Sequence, residues 1–484
     1  MLASLGIHVF VIAILGVMVY TIDRHPPPRD PITVSWLSDN EDGSGDGDAP
    51  PVAAVRINTA PAAPGGEPEI KMTTPNSVVA PTPITETPKT EPTGPVAVKP
   101  VDVSNALNRR GAGGGKAGGP GGTGKGTGGS GGGGNGDGDG VGGDVDVPKA
   151  IERSLTWLAR QQQKDGHWSL NGPYDDPGTI QTNTGATSLA LLALVGDGNT
   201  HQAGPHREVV RKGIEWLRGV QRPTGDLFDI AEQGKEAHFY SHAQGTIALC
   251  ETLALSGDES LRPVATRAVN FLVQSQNPKL GGWKYRPLAE DGIGDLSVTG
   301  WALMALHTAR MAKIEVPPEA FLLSSTFLDA VQAAPDDPSR YRYRPDEPAQ
   351  DAQGMSMTAE GLLCRQWLGW PREYAPMVKG TEFLLSVRNE PVWAEGRRNV
   401  YAWYYTSQTL HNLGGDPWRK WFGQVAPLIV KAQNSSGKNA GSWNPTRPRG
   451  AFLEWGHGAG RLYFTVMCTL ILETPDRHAP IYGD

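Results

Sequence analysis

An imidazole and a carboxyl at matching positions are the first chemistry this sequence offers. His242 and Asp295 each stand four residues ahead of a threonine, Thr246 and Thr299, in separate apolar segments. If those segments are neighbouring helices, a His–Asp pair at their starts could tune a buried acid, because burial and nearby charge set a carboxyl's proton affinity. A structural or solvated pair is the plainer alternative. The same offset picks out Asn183, Gly354, Ala402 and Arg461 ahead of Thr187, Thr358, Thr406 and Thr465, so all six would share one rim. Helix N-termini gathered on a rim favour anions. Trp301, Trp403, Tyr404, Tyr405 and Tyr463 could line an aromatic pocket able to face a cation, or fill an ordinary core. The acidic pairs Asp175–Asp176 and Asp336–Asp337 adjoin prolines, as turn residues do. Cys250, Cys364 and Cys468 lie far apart inside apolar runs, which marks buried thiols and no metal site. His411 and His457 stand alone. No serine-nucleophile elbow, zinc-protease pair or phosphate loop occurs in the globular part, and no cofactor is expected.

These residues need elements to position them, and internal repetition supplies the elements. A large apolar residue followed five positions later by Gln recurs at Trp157/Gln162, Trp216/Gln221, Phe271/Gln276, Phe327/Gln332 and Leu428/Gln433; Phe383 is followed instead by Arg388. After most of these comes a loop with Gly and an aromatic residue, such as Gly166 with Trp168, Gly282 with Trp283 and Gly441 with Trp443. A more apolar segment follows, carrying the aligned threonines at spacings of 59, 53, 59, 48 and 59. Two markers thus report six units, each an amphipathic outer helix and an inner helix apolar all round. An open solenoid has the same repeat but needs polar caps at both ends. None is evident, and six pairs suit ring closure. The fold expected over residues 148–474 is all-α, a six-over-six α/α toroid, with a tail over 475–484.

The region before the repeats is different in kind. Gly and Pro are densest before residue 148. Residues 2–22 form an apolar run about 30 Å long as a helix, enough to cross a bilayer once. The run has no basic leader or small-residue cleavage site, so an uncleaved membrane anchor is expected rather than a signal peptide. Residues 23–147 are Pro- and Thr-rich, then Gly-rich; such a chain buries no core and acts as a disordered linker. The net charge of −7 and the lack of a dense basic run argue against nucleic acid as a partner. Ser4 and His8 share one face of the span, and Pro26, Pro27 and Pro28 follow it. This pattern resembles the anchor of TonB/TolA-type transducers, which implies an ExbB/ExbD-like channel as partner and a toroid on the extracytoplasmic side of a bacterial inner membrane. The flanking charges alone leave the orientation open.

The repeats themselves carry a resemblance. Gln162-x(3)-Gly166-x-Trp168, and Gly281-Gly-Trp-Lys-Tyr-Arg-Pro leading into Asp295-Leu-Ser-Val-Thr-Gly-Trp, look like the prenyltransferase/squalene cyclase repeat. The resemblance implies an α/α toroid with a central cavity and an isoprenoid or other apolar ligand. Cyclases of this family protonate substrate with an Asp-x-Asp-Asp motif, which is missing from residues 148–484. The prenyltransferase zinc ligands are missing too: Asp295 is followed by Ser297 where the family has cysteine, and no histidine stands near Thr358 or Thr406 in the matching place. The reading that follows is a membrane-tethered toroid that binds a ligand or partner without the family's known catalytic motifs. A divergent cyclase using Asp295 as acid, and a component of a TonB-like energy-coupled system, are the alternatives.

Overall fold

The computed structural model describes residues 145–482, apart from 230, 233, 235–236, 288–292, 335–336 and 348–353. All of them fall within one compact unit, Glu91–Asp484. The expected span over 2–22, its Ser4 and His8, and the linker up to residue 144 lie outside the described residues. Among the described residues no helix is long and apolar enough to cross a membrane.

Twelve α-helices are found among the described residues, alternating outer and inner. The outer set is α1 (Val147–Gln161), α3 (Arg207–Val220), α5 (Arg262–Gln274), α7 (Pro318–Ala330), α9 (Ala375–Leu384) and α11 (Gly415–Ala432). The inner set is α2 (Asn183–Gly196), α4 (His238–Ser256), α6 (Leu296–Met311), α8 (Gly354–Trp367), α10 (Val400–Leu413) and α12 (Gly456–Arg477). Outer helices bury one stripe: α3 buries Val210, Gly213, Ile214 and Leu217, at helical spacing. Inner helices bury nearly everything, as α6 does from residue 296 to 309. Each inner helix packs on the next, and α12 packs back on α2, so the six close into a ring. The fold is the all-α toroid.

Both repeat markers have a physical reason. At four joints the glutamine ending an outer helix donates twice, once to its own loop and once to the following outer helix. Gln162 Nε2 reaches Gly166 O and Val209 O, each at 2.9 Å. Gln221 reaches Gly225 O and Val264 O, and Gln276 reaches Gly281 O and Ala320 O. Gln433 reaches Gly441 O and Ala150 O on α1, so the ring is sealed by the same bond that makes three of its other joints. The inner threonine accepts the backbone N–H of the loop aromatic: Thr187 from Trp168 at 2.9 Å, Thr299 from Trp283 at 3.1 Å, Thr358 from Tyr341 at 3.3 Å and Thr465 from Trp443 at 3.4 Å. Such bonds keep buried backbone donors satisfied where the chain turns from outer to inner helix.

Two joints depart from the pattern. In the fourth unit a hairpin, β1 (Gln332–Ala334) with β2 (Asp337–Tyr341), replaces the Gly–aromatic loop. Gln332 lies in β1 and its side chain turns to Asp329 instead of clamping. In the fifth, where Arg388 stands for Gln, α8 and α10 are tied through Gln366 to Thr409 O and by Asn412 to Gln366. The last helix runs through Pro475 to Arg477, past the expected boundary at 474, and residues 478–482 pack back instead of trailing: Tyr482 donates to Trp370 O at 2.5 Å. The three cysteines are free and buried, as expected.

Candidate functional site

Asp295 is the N-cap of α6. Its Oδ1 accepts from Val298 N at 2.9 Å and from Ser297 Oγ at 2.8 Å, and Oδ2 faces Lys284 Nζ at 4.0 Å. Burial pushes its carboxyl up to about 6, against the two hydrogen bonds and the lysine, which favour the ionised form. Ser297 also meets Tyr240 OH at 2.6 Å, and the hydroxyls of Tyr285 and Tyr343 touch nearby. One turn further in, Glu360 on α8 is wholly buried with Tyr401 OH at 3.2 Å. Gly300 makes the room: a side-chain carbon there would come 2.1 Å from Glu360 Oε1. Burial, only partly offset by the hydroxyls of Tyr405 and Tyr401, holds Glu360 well above the usual carboxylate range. The amino-terminal half of the ring interior is therefore acidic and phenolic, and buried Asp295 Oδ2 and Glu360 Oε1 make no hydrogen bond among the described residues.

The structure does not bring His242 to Asp295. His242 Nδ1 accepts from Leu227 N at 3.2 Å and Nε2 donates to Ala268 O at 3.0 Å, so both ring nitrogens are committed to backbone. It does for the second unit what threonine does in four others, while Thr246 bonds His242 O. Burial pushes its imidazole down to about 4, which keeps the neutral tautomer those bonds require. Its nearest carboxylate is Asp226, at 3.6 Å, which is bonded in turn to His238 at 2.8 Å.

The other expected residues divide by helix face. Tyr404 lines a cavity, and Trp301 stacks on it with ring centroids 5.8 Å apart. Tyr405 packs edge-on to both. Trp403 instead meets Trp393 at 6.1 Å: three consecutive helical residues span about 200° and cannot all face inward. Tyr463 is buried on α12. Asn183 opens α2, but the cap is Thr182, which accepts from Gly185 N. Arg461 is not a free rim cation. It holds Asp176, Asp175 O, Ser442 Oγ and Trp443 O, and so pins the α1–α2 loop to the last unit. The pair read as turn residues, Asp175 and Asp176, is thereby a second seal of the ring.

A cavity lies at the other end, among the carboxyl ends of the inner helices. This cavity of about 200 Å³ is lined by Met304, His307 and Met311 of α6, Trp367 of α8, Tyr404, Gln408, His411 and Asn412 of α10, Leu470 of α12, and residues 478–481 of the tail. Arg477, at its edge, is already engaged by Glu251 at 2.6 Å and Leu192 O at 2.7 Å. His307 stacks on Trp367 at 5.6 Å, and burial, with Arg310 nearby, pushes its imidazole down to about 3. Buried His307 Nδ1 and Gln408 Nε2 have no hydrogen-bond partner among the described residues. Neither was singled out from sequence, nor was Glu360. The available signal was weak: His307 ends the apolar run Ala-Leu-Met-Ala-Leu but is followed by Thr308, and Gln408 lies between Ser407 and Thr409.

Comparison with known proteins bears on this ring directly. Residues 140–241, which carry α1, α2, α3 and the start of α4, match the squalene-hopene cyclase C-terminal domain. The chain carries a squalene cyclase-like domain. It is similar to a squalene–hopene cyclase of Bradyrhizobium diazoefficiens, 27% identical over 206 residues, covering 38% of this chain and 29% of that protein. It is similar also to a dammaradiene synthase of Dryopteris crassirhizoma, 27% identical over 203 residues, covering 34% and 29%. The chain thus spans less than a third of the length of these relatives. Among solved structures, a cellobiose 2-epimerase from Spirochaeta thermophila overlays with a TM-score of 0.48 at 15% identity, covering 68% of this chain and 95% of that one.

Proposed function

We propose that this squalene cyclase-like toroid binds a small amphipathic molecule, such as a short isoprenoid alcohol, in the cavity at the carboxyl ends of its inner helices. One observation carries the reading: the cavity wall is about half apolar or aromatic and half polar, and buried His307 Nδ1 and Gln408 Nε2 in it make no hydrogen bond to protein among the described residues. Leaving such groups unsatisfied costs roughly 1–3 kcal/mol each, which a ligand hydroxyl, or water in its place, removes. Met304, Met311, Trp367 and Leu470 would take the hydrocarbon body. The space is below the roughly 300–1,000 Å³ of pockets that enclose drug-sized ligands, so a short chain fits better than a triterpene. The tether over residues 2–22 would keep the toroid at a bacterial inner membrane, near a lipid-borne source.

Thermal shift and native mass spectrometry of the full chain with geraniol and farnesol test this. A ligand at 100 times its Kd should stabilise by about 2.7 kcal/mol. His307→Phe with Gln408→Leu should weaken binding at least tenfold while the ring still melts cooperatively. Equal binding by that double variant, or no shift with any prenyl alcohol, would sink the idea.

The raised carboxyl of Asp295 favours a second reading, a divergent cyclase with Asp295 as its acid. Its surroundings pull the other way: a backbone N–H, a hydroxyl and Lys284 all favour the carboxylate. Incubation of the purified chain with squalene, with products read by mass, decides this; turnover abolished by Asp295→Asn would establish it. The same variant has a stability signature. A carboxyl raised from 3.8 to about 6 favours the fold at low pH, and this contribution is lost as pH rises from about 4 to 6. The loss is on the order of 2–3 kcal/mol. Asparagine still caps the helix, so Asp295→Asn should flatten the decline. Urea midpoints at pH 4.5 and pH 8 measure it, and parallel profiles would contradict the assignment.

A further inference from the structure

We propose that the loop at residues 451–455 docks the ring on an anionic membrane surface. Core positions elsewhere in this ring hold their large rings below a tenth exposed, but Phe452 is 91% exposed and Trp455 is 53% exposed. The loop presenting them is anchored at its base by hydrogen bonds. Glu454, between the two rings, is buried and accepts from Arg398 Nε and Nη2, both at 2.9 Å, and from Val400 N at 3.1 Å. Arg398 also donates to Asn444 O and Pro445 O, and Ala451 N bonds Arg398 O at 2.7 Å. Trp455 adopts a left-handed backbone, φ 62°, uncommon for a bulky residue. The base is fixed while the rings stand in solvent.

The charge around them selects the occupant. The α9–α10 loop lies alongside, joined by Gly396 N to Arg449 O at 2.8 Å. Across the two loops Arg388, Arg397, Arg447 and Arg449 are exposed, against Glu390 and Glu395. Val387, in the same loop, is 81% exposed. Aromatic rings amid excess arginine suit a headgroup layer with an apolar boundary beneath and phosphate above. These loops precede inner helices, so they share the amino-terminal rim with Asp295 and lie away from the cavity. Docking here would set the Asp295 rim against lipid and leave the cavity mouth facing away. This proposal is independent of the cavity ligand.

The three native cysteines are buried, so a dye on Ala451→Cys labels one place in the full chain. With nanodiscs containing phosphatidylglycerol, the dye should shift to the blue and lose at least half its emission to brominated acyl chains. Pure phosphatidylcholine should give a clearly smaller effect. Phe452→Ser with Trp455→Ser should abolish it while the ring still melts cooperatively, since Phe452 is almost wholly and Trp455 about half exposed. A dye that stays solvent-exposed with anionic lipid, an effect equal in both lipids, or a signal untouched by the double variant overturns the proposal. So does a blue shift that follows protein concentration rather than lipid, which would mean a second copy covers the loop.

Discussion

Gly441→Val is expected to break the ring open, at a cost on the order of 4 kcal/mol or more. Gly441 sits at φ 94°, where a β-branched residue is strained, and a side-chain carbon there would come 2.1 Å from Arg153 O. That oxygen is backbone of α1, so neither partner can rotate aside. The equivalent glycines meet the next outer helix in the same way: Gly166 at Lys212 O, Gly225 at Arg267 O and Gly281 at Leu323 O. The comparison is what gives the experiment meaning. In a ring, Gly441 occupies an interior joint and its variant should be as damaging as Gly225→Val. In an open solenoid, it would face solvent. Gly257, left-handed with nothing within 4 Å, shows what that case costs: Gly257→Ala should lose only about 1 kcal/mol, from the backbone alone. Urea midpoints for the three variants, with proteolysis of α1 as a local probe, separate the cases. A Gly441→Val midpoint close to that of Gly257→Ala would mean the seal at α11–α1 contributes little.

The ring was legible in the sequence because its joint is made of short-range signals repeated in register. Gln162, Gly166, Trp168 and Thr187 belong to one clamp, and the clamp recurs at the four joints where a unit faces an equivalent neighbour. A periodic structural role leaves a periodic trace. The interior was less legible for the converse reason. His242 looked like the partner of Asp295 because it shares an offset, yet its nitrogens satisfy Leu227 N and Ala268 O, a task set by three dimensions. Arg461 shared the same offset and turned out to secure Asp176 across the seam. Offset fixes height in the ring, not direction. His307, Gln408 and Glu360 stand among other polar residues of their inner helices, such as Thr308, Ser407 and Thr358, and none of them recurs as the same residue at the repeat spacing, so there is no period to detect. They became visible only when the cavity and the space left by Gly300 were in view.

The second large effect is expected at Arg398, which no sequence pattern marked. Arg398 and Glu454 form a fully buried pair, with the guanidinium over Phe464 at 4.2 Å and Trp393 at 5.1 Å. Arg398→Met keeps most of the volume but leaves Glu454 buried without its cation, a loss of about 3–5 kcal/mol. The loss should depend on pH in a definite direction. Burial already raises the Glu454 carboxyl, outweighing the Arg398 bonds and charge that lower it. Without Arg398 it rises further. A protonated Glu454 carries no uncompensated charge, so the deficit should be small near pH 4 and grow as pH rises through neutrality. Glu454→Gln in the Arg398→Met background should remove that dependence while retaining an acceptor for Val400 N. If the single variant's deficit is the same at pH 4.5 and pH 8, the buried charge is not its source and lost packing against Phe464 is. The same variant reaches the exposed loop. Arg398 bridges Glu454 to Asn444 O and Pro445 O, so its loss should free residues 451–455 to exchange backbone amides with solvent well before the ring melts.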